Sequence, residues 1–186
     1  MQHTVIALVH DRPGVLNRAV SLFRRRAFNI DSLSVATTEQ SGLSRMTLVV
    51  RRDDVAQVVR QLERLVDVVS VRDVTHQPMV AHELCLVRLA PPGSRLGALL
   101  RIVHECDARV VETAPQAMLI AVMGPPESVS TCIERLRGFG ILELTRSGRV
   151  AMTVAGIPTP GRPSAAPSTD APYTWQADGA LDHEAA

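Results

Sequence analysis

Asp11, Pro13 and Gly14 share one short stretch, HDRPGVL (residues 10–16), and Asn29 with Ile30 follows further along. The first set has the makings of an anion seat. Residues before proline avoid the α region, so Arg12 is expected to be extended and Pro13 to open a helix. Pro13 has no N–H. Gly14, Val15 and Leu16 each have one, and none of the three has an intrahelical partner to receive it. Three such donors at the positive end of a helix dipole suit a carboxylate, and Gly14 carries no Cβ to obstruct a ligand. Asp11, just upstream, suits an ammonium group. Together they match the two ends of a free amino acid. A blander reading stands beside this one, in which Asp11 merely caps the helix and Gly14 merely relaxes the turn. Asn29 divides the same way: its amide donates and accepts toward a ligand, or it ends a helix in the left-handed conformation.

These residues need elements to hold them. His3–Val9 is apolar on both faces and reads as a central strand. From Val15 the period changes, with Val15, Leu16, Ala19, Val20, Phe23 and Ala27 on one helical stripe and Arg24–Arg26 at its solvated end. Ile30–Thr38 alternates as a half-buried strand, and Ser44–Val50 returns as the second arm of a hairpin. Asp53 and Asp54 suit a helix start ahead of Val55–Val66, and VDVVSVRDV makes a final strand. The order is βαββαβ, the ferredoxin-like arrangement.

The second half repeats that order. Strand Glu83–Leu89, helix Leu96–Cys106, hairpin Ala108–Thr113 with Met118–Met123, helix Pro126–Arg137 and strand Ile141–Arg146, extended by Val150–Val154, follow in turn. The Pro-Gly pair at 13–14 recurs at 92–93, again between strand and helix, which indicates a degenerate duplication. The fold class is therefore α+β, with two βαββαβ domains at residues 1–76 and 77–156. Residues 157–186 hold five prolines, seven alanines and no apolar period, and are expected to be a disordered tail. PYTWQ within it contains the only Tyr and Trp of the chain.

Composition narrows the function. Of 186 residues 46% are hydrophobic but only 3% aromatic, so the cores must be aliphatic. A net charge of +1 gives no strong pull toward nucleic acid or anionic membrane. Three cysteines without framework spacing suggest reduced thiols, and with no signal-like or membrane-spanning segment the expected location is the cytoplasm. His82, Cys85, His104 and Cys106 do not match a zinc spacing, because an HxC pair on a helix points about 200° apart. No P-loop, GxGxxG fingerprint or recognisable triad is present. An RNA-binding βαββαβ module stacks bases on strand aromatics, and HTVIALV and SRMTLVV have none.

The segment HDRPGVLNRAVSLFRRRAFNIDSLSVATTEQSGLSRMTLVV resembles the N-terminal ACT domain of acetolactate synthase (acetohydroxyacid synthase) small regulatory subunits. PGVL alone occurs in many ACT modules; FNI-SL-V, SRMT and GI-EL-RSGRVA in this order are far more specific. ELCLVRLAPP, ARVVETAP and RLRGFGILELTRSGRVAM resemble the same family's C-terminal domain, so the similarity spans roughly residues 3–155.

That resemblance implies a non-catalytic subunit that stimulates a catalytic large subunit and confers feedback inhibition by a branched-chain amino acid, valine first. It implies no cofactor in this chain, with thiamine diphosphate, Mg and FAD on the catalytic partner. It also implies a homodimer through the ACT domain. The effector-binding residues become Asp11, Gly14, Val15, Leu16, Asn29 and Ile30, the last two from the neighbouring protomer. Many relatives have Asn where this chain has Asp11, and a carboxylate there would favour the ammonium end and repel a carboxylate set too close. Loss of feedback control is therefore an alternative, as is an ACT sensor serving another pathway. Arg45 is read as a solvated strand-end charge or part of a partner surface. The second Pro-Gly turn lacks the acid and the Asn, so no comparable effector site is expected there.

Overall fold

The computed structural model describes residues 1–26, 28–51 and 54–154. The expected tail therefore lies outside the described residues, as do Ala27 on the first helical stripe and Asp53.

The first unit runs β1 (Gln2–His10), α1 (Val15–Arg25), β2 (Ile30–Thr37), β3 (Leu43–Arg51), α2 (Val55–Leu62) and β4 (Val68–Asp73). Its antiparallel sheet has the order β2-β3-β1-β4, so β1 is internal and β2 is an edge. The apolar run of β1 serves both faces. Val5, Ala7 and Val9 join the core beneath the helices with Ala19, Leu22, Phe23, Met46, Leu48, Val58 and Leu62, while Ile6 is buried on the opposite face. Asp54 caps α2 through the N–H of Gln57 at 3.1 Å. That helix is shorter than its periodicity suggested, ending at Leu62.

The second unit runs β5 (Met79–Leu89), α3 (Leu96–Glu105), β6 (Arg109–Ala114), β7 (Ala117–Gly124), α4 (Pro126–Leu136), β8 (Ile141–Arg146) and β9 (Val150–Thr153). Short 3₁₀ turns precede α3 and follow α4. Its sheet has the order β6-β7-β5-β8, with β9 also on β5. The core holds Cys85, Val87, Leu89, Leu99, Ile120, Val129, Cys132 and Leu136. Both units are thus of the βαββαβ type, α+β, with helices over one face of an antiparallel sheet.

The expected extension of β8 is real but interrupted. Cys85 pairs with Arg146 and His82 pairs with Val150, so Ser147, Gly148 and Arg149 oppose only Glu83 and Leu84. This is a β-bulge. Beyond it, β9 and the first residues of β5 leave their own unit and lie against the outer face of the first sheet. There Ala151, Met79 and Ala81 pack on Ile6 and Val74. β5 begins four residues earlier than its sequence suggested because those residues find their apolar partners in the other unit.

Candidate functional site

Around Gly14 the chain is built differently from a helix opened by proline. The N–H of Val15 donates to the carbonyl of Arg12 at 3.3 Å, and Gly14 has φ 85° and ψ −8°. With Pro13 and Gly14 as the central pair this is a type II turn, whose third residue needs positive φ. Helix α1 starts at Val15 with Gly14 as its N-cap, and no side chain caps it. Val15 is therefore not the free donor that the sequence suggested. The amides at the helix mouth without an intrahelical partner are those of Leu16 and Asn17, since the first helical bond runs from Arg18 to the Gly14 carbonyl at 3.0 Å. The turn is anchored by the Asp11 N–H on the Gly42 carbonyl at 2.8 Å. Asp11 itself is exposed, so it does not act as the helix cap.

Gly14 makes room for something the sequence did not reveal. A Cβ there would stand 3.1 Å from Nη1 of Arg18. The Arg18 guanidinium lies beside the turn and donates through Nε to Oδ2 of Asp67 at 2.7 Å, with Nη2 at 2.6 Å from the same oxygen. Asp67 is buried, and its backbone carbonyl accepts from the His10 N–H at 2.8 Å. The helix mouth thus has a guanidinium beside its amides, with its charge already paired to Asp67. Forty-nine residues separate Arg18 from Asp67, and no local pattern links them.

Asn29 and Ile30 stand elsewhere. α1 ends at an Arg26 C-cap with φ −99°, and among the described residues Asp107 alone of the non-glycines has positive φ. The left-handed cap is therefore not what Asn29 provides; it is exposed at the entrance to β2. Ile30 pairs with Val50, which also pairs with His3. Thr37, at the far end of β2, pairs with Ser44, and Ser44 pairs with Val9. Asp11 and Gly14 follow Val9, so the two sets of residues occupy opposite ends of the sheet. They are separated by the length of α1, about 16 Å for its eleven residues. One chain does not bring them together.

Two exposed apolar side chains lie along the same helix, Leu16 at 44% and Val20 at 41%. They are four residues apart and so share one face. Val35 of edge strand β2 is also exposed. Arg45 differs from the solvated charge first considered: it is half-buried and its Nη2 donates to the Ala151 carbonyl at 2.8 Å. Burial pulls its guanidinium pKa down, against the opposing influence of Glu39.

The second Pro-Gly turn is built differently. Gly93–Arg95 form a 3₁₀ turn in which Arg95 N–H reaches the Pro92 carbonyl at 3.0 Å. The Arg95 guanidinium lies 5.2 Å over the Phe139 ring and donates to the Gly138 carbonyl at 2.7 Å. A cavity of about 660 Å³ opens between the units, lined by Asp31, Ser32, Glu83, Arg146, Gly148 and Arg149 among others, and it includes none of the six candidate residues. Among the described residues no three His, Cys, Asp or Glu side chains come together as a metal site, and no helix is long and apolar enough to cross a membrane.

Residues 6–70 match the family described as the AHAS small subunit-like ACT domain, and residues 82–155 match the family described as the small subunit of acetolactate synthase. A probable acetolactate synthase small subunit of Archaeoglobus fulgidus is 44% identical over 154 residues, covering 82% of this chain and 96% of that protein. The acetolactate synthase small subunit of Bacillus subtilis is 35% identical, with 81% and 90% covered. The crystal structure of the Thermotoga maritima acetolactate synthase small subunit superposes with a TM-score of 0.74 at 30% identity, covering 82% of this chain and 97% of that one. Sequence and fold thus agree over both units, and the chain belongs to the family of acetolactate synthase small subunits, a regulatory family whose catalysis resides in the large subunit.

Proposed function

We propose that this chain is the regulatory subunit of a cytoplasmic acetolactate synthase: it binds and activates the catalytic large subunit and brings it under feedback inhibition by a branched-chain amino acid, valine foremost. Residues 1–76 form the effector-binding, dimerising domain, and residues 77–156 form the part that engages the catalytic subunit. The effector's carboxylate lies at the mouth of α1, along the Gly14–Leu16 backbone and toward the free Leu16 amide, with Nη1 of Arg18 beside the turn. Asp11 takes the ammonium group. Asn29 and Ile30 of a second copy complete the site.

The observation that carries this reading is the separation of the two half-sites. If the β2 edges of two copies pair about a twofold axis, the Ile30 end of one meets the Thr37 end of the other, which is the end that carries Asp11 and Gly14. The exposed Leu16, Val20 and Val35 give such a contact an apolar surface. The activity of a complex reconstituted with the large subunit, titrated with valine, leucine and isoleucine, tests the reading directly. Activation with inhibition by at least one of them is expected; activation that none of the three reduces would contradict feedback control.

Asp11 favours one alternative, a subunit that activates but no longer senses. An acid at this place lowers affinity if the effector carboxylate lies near it. Under that alternative a thermal scan with each amino acid shows no stabilisation, whereas the favoured reading expects stabilisation that Asn29→Ala removes.

A further inference from the structure

Strand β2, which begins at the proposed effector contact, is gripped two residues later by the bulge of the second unit. The N–H of Arg149 donates to Oγ of Ser32 at 2.9 Å. Gly148, with φ +77°, lies so close that a Cβ would stand 2.8 Å from Ser32 Oγ and 3.6 Å from the Leu33 carbonyl oxygen. Only glycine fits, both for the backbone angle and for the approach. Nη1 of Arg149 reaches Thr4 Oγ1 on β1 at 2.8 Å, while its buried Nε has no hydrogen-bond partner among the described residues.

The other end of the bulge is fixed in the second unit. Ser147 N–H donates to the Leu84 carbonyl at 2.9 Å, and Leu84 N–H donates back to Ser147 Oγ at 3.0 Å. Arg146 is paired with the buried Glu83, with Nε at 2.9 Å, and its Nη1 lies 3.5 Å from Ser130 Oγ on α4. Four residues, Arg146 and the three of the bulge, therefore join the effector end of β2 to both the sheet and a helix of the second unit. β2 is itself irregular at this point, since its register on β3 shifts between Ile30 and Ser32. A cavity of about 660 Å³ is lined by both Asp31–Leu33 and Ser147–Arg149.

We propose that the Ser147–Arg149 bulge is the coupling element of the subunit: clamping of Asn29 and Ile30 displaces Ser32, and the Arg149–Ser32 hydrogen bond passes that displacement to β8 and α4. A bulge suits this work because it is a break in a ladder that is otherwise rigid. The proposal rests on the reading of Asn29 and Ile30 as half of the effector site.

Hydrogen exchange of the full chain, with and without valine, tests it, followed by inhibition assays of the reconstituted complex. Valine is expected to slow exchange at residues 14–17 and 29–33 and also at the Arg149 amide. In Ser32→Ala, valine affinity is expected to stay within about twofold while coupling to inhibition falls by about fivefold or more. Gly148→Ala, which forces the contact apart from the other side, is expected to uncouple in the same way. Protection at 14–17 and 29–33 with no change at Arg149, or normal inhibition in both variants, overturns the coupling role alone. Absence of any valine-dependent protection overturns the effector reading and this proposal together.

Discussion

At Pro13–Gly14 and again at Pro92–Gly93 the chain leaves an internal strand, turns on a glycine of positive φ and enters a helix. The first turn leaves the helix mouth uncapped, with a guanidinium beside it and a neighbouring acid exposed. The second inserts a 3₁₀ turn and lays Arg95 across Phe139. In each, an arginine comes within a few residues of the glycine. Arg18 reaches to Asp67, an acid in its own core, and stays beside the open turn; Arg95 spends its donors on the Gly138 carbonyl and its charge on a ring. A duplicated βαββαβ unit thus keeps a guanidinium against the glycine of one turn and draws it away, onto a ring and a carbonyl, at the other. The lesson is that a glycine at a helix entrance does not by itself make a binding site; where the nearby arginine is held decides what the turn can offer.

Substitutions at the two mouths sharpen that contrast. Arg18→Ala leaves the buried carboxylate of Asp67 without its partner and is expected to cost about 2–3 kcal/mol in urea unfolding. Gly14→Ala puts a Cβ in the left-handed region and against Arg18, at a cost of about 2 kcal/mol, and is expected to abolish the valine response. Gly93→Ala meets no atom within 4 Å, so only the backbone term of about 1 kcal/mol remains, and the valine response is unchanged. Equal losses at the two glycines would remove the distinction between the mouths.

The smallest effect concerns the thiols. Burial and a hydrogen bond with Cys106 push the Cys132 thiol up to about 12, and burial also raises Cys85. Both are fully buried, whereas Cys106 is only partly so. Native protein at pH 9 is therefore expected to be alkylated at Cys106 alone, and at all three cysteines once unfolded, as read by mass. The sign for stability follows from the raised folded value. The neutral thiol is favoured in the native state, so Cys132 contributes in full below the ordinary thiol value near 9, and that contribution falls as pH rises toward 12. A Cys132→Ala chain is expected to lose less stability than the wild type across this range.

Much of the fold was legible because each unit writes its own periods. The alternation of Ile30–Thr37 and Val15, Ala19 and Phe23 of the helical stripe point at a core within the same unit, whereas Leu16 and Val20 of that stripe stay exposed, and the recurrence of Pro-Gly marks the repeat. What was not legible depends on partners far along the chain. Met79–His82 becomes strand because β9 pairs with it and because Ile6 and Val74 receive its apolar side chains. Arg45 is half-buried because Ala151, 106 residues away, supplies a carbonyl. At the candidate site, PGVL indicated a helix entrance and a glycine that matters, but assigned Pro13 to the helix when it belongs to a type II turn. The Arg18–Asp67 pair was invisible for the same reason as Arg45. The placement of Asn29 at the far end of α1 needed only the topology, which the strand and helix patterns had already supplied.

The central claim is that one effector site draws on two chains. Asp11→Lys damages the helix-mouth half, Asn29→Ala damages the β2 half, and each variant alone is expected to bind no valine by calorimetry. A mixture of the two, unfolded and refolded together so that mixed dimers form, contains dimers in which an intact mouth faces an intact β2 entrance. Valine binding should reappear in that mixture, at about one site per mixed dimer. If it stays absent, while wild-type chain carried through the same procedure binds valine, the site does not lie across two copies and the account is wrong.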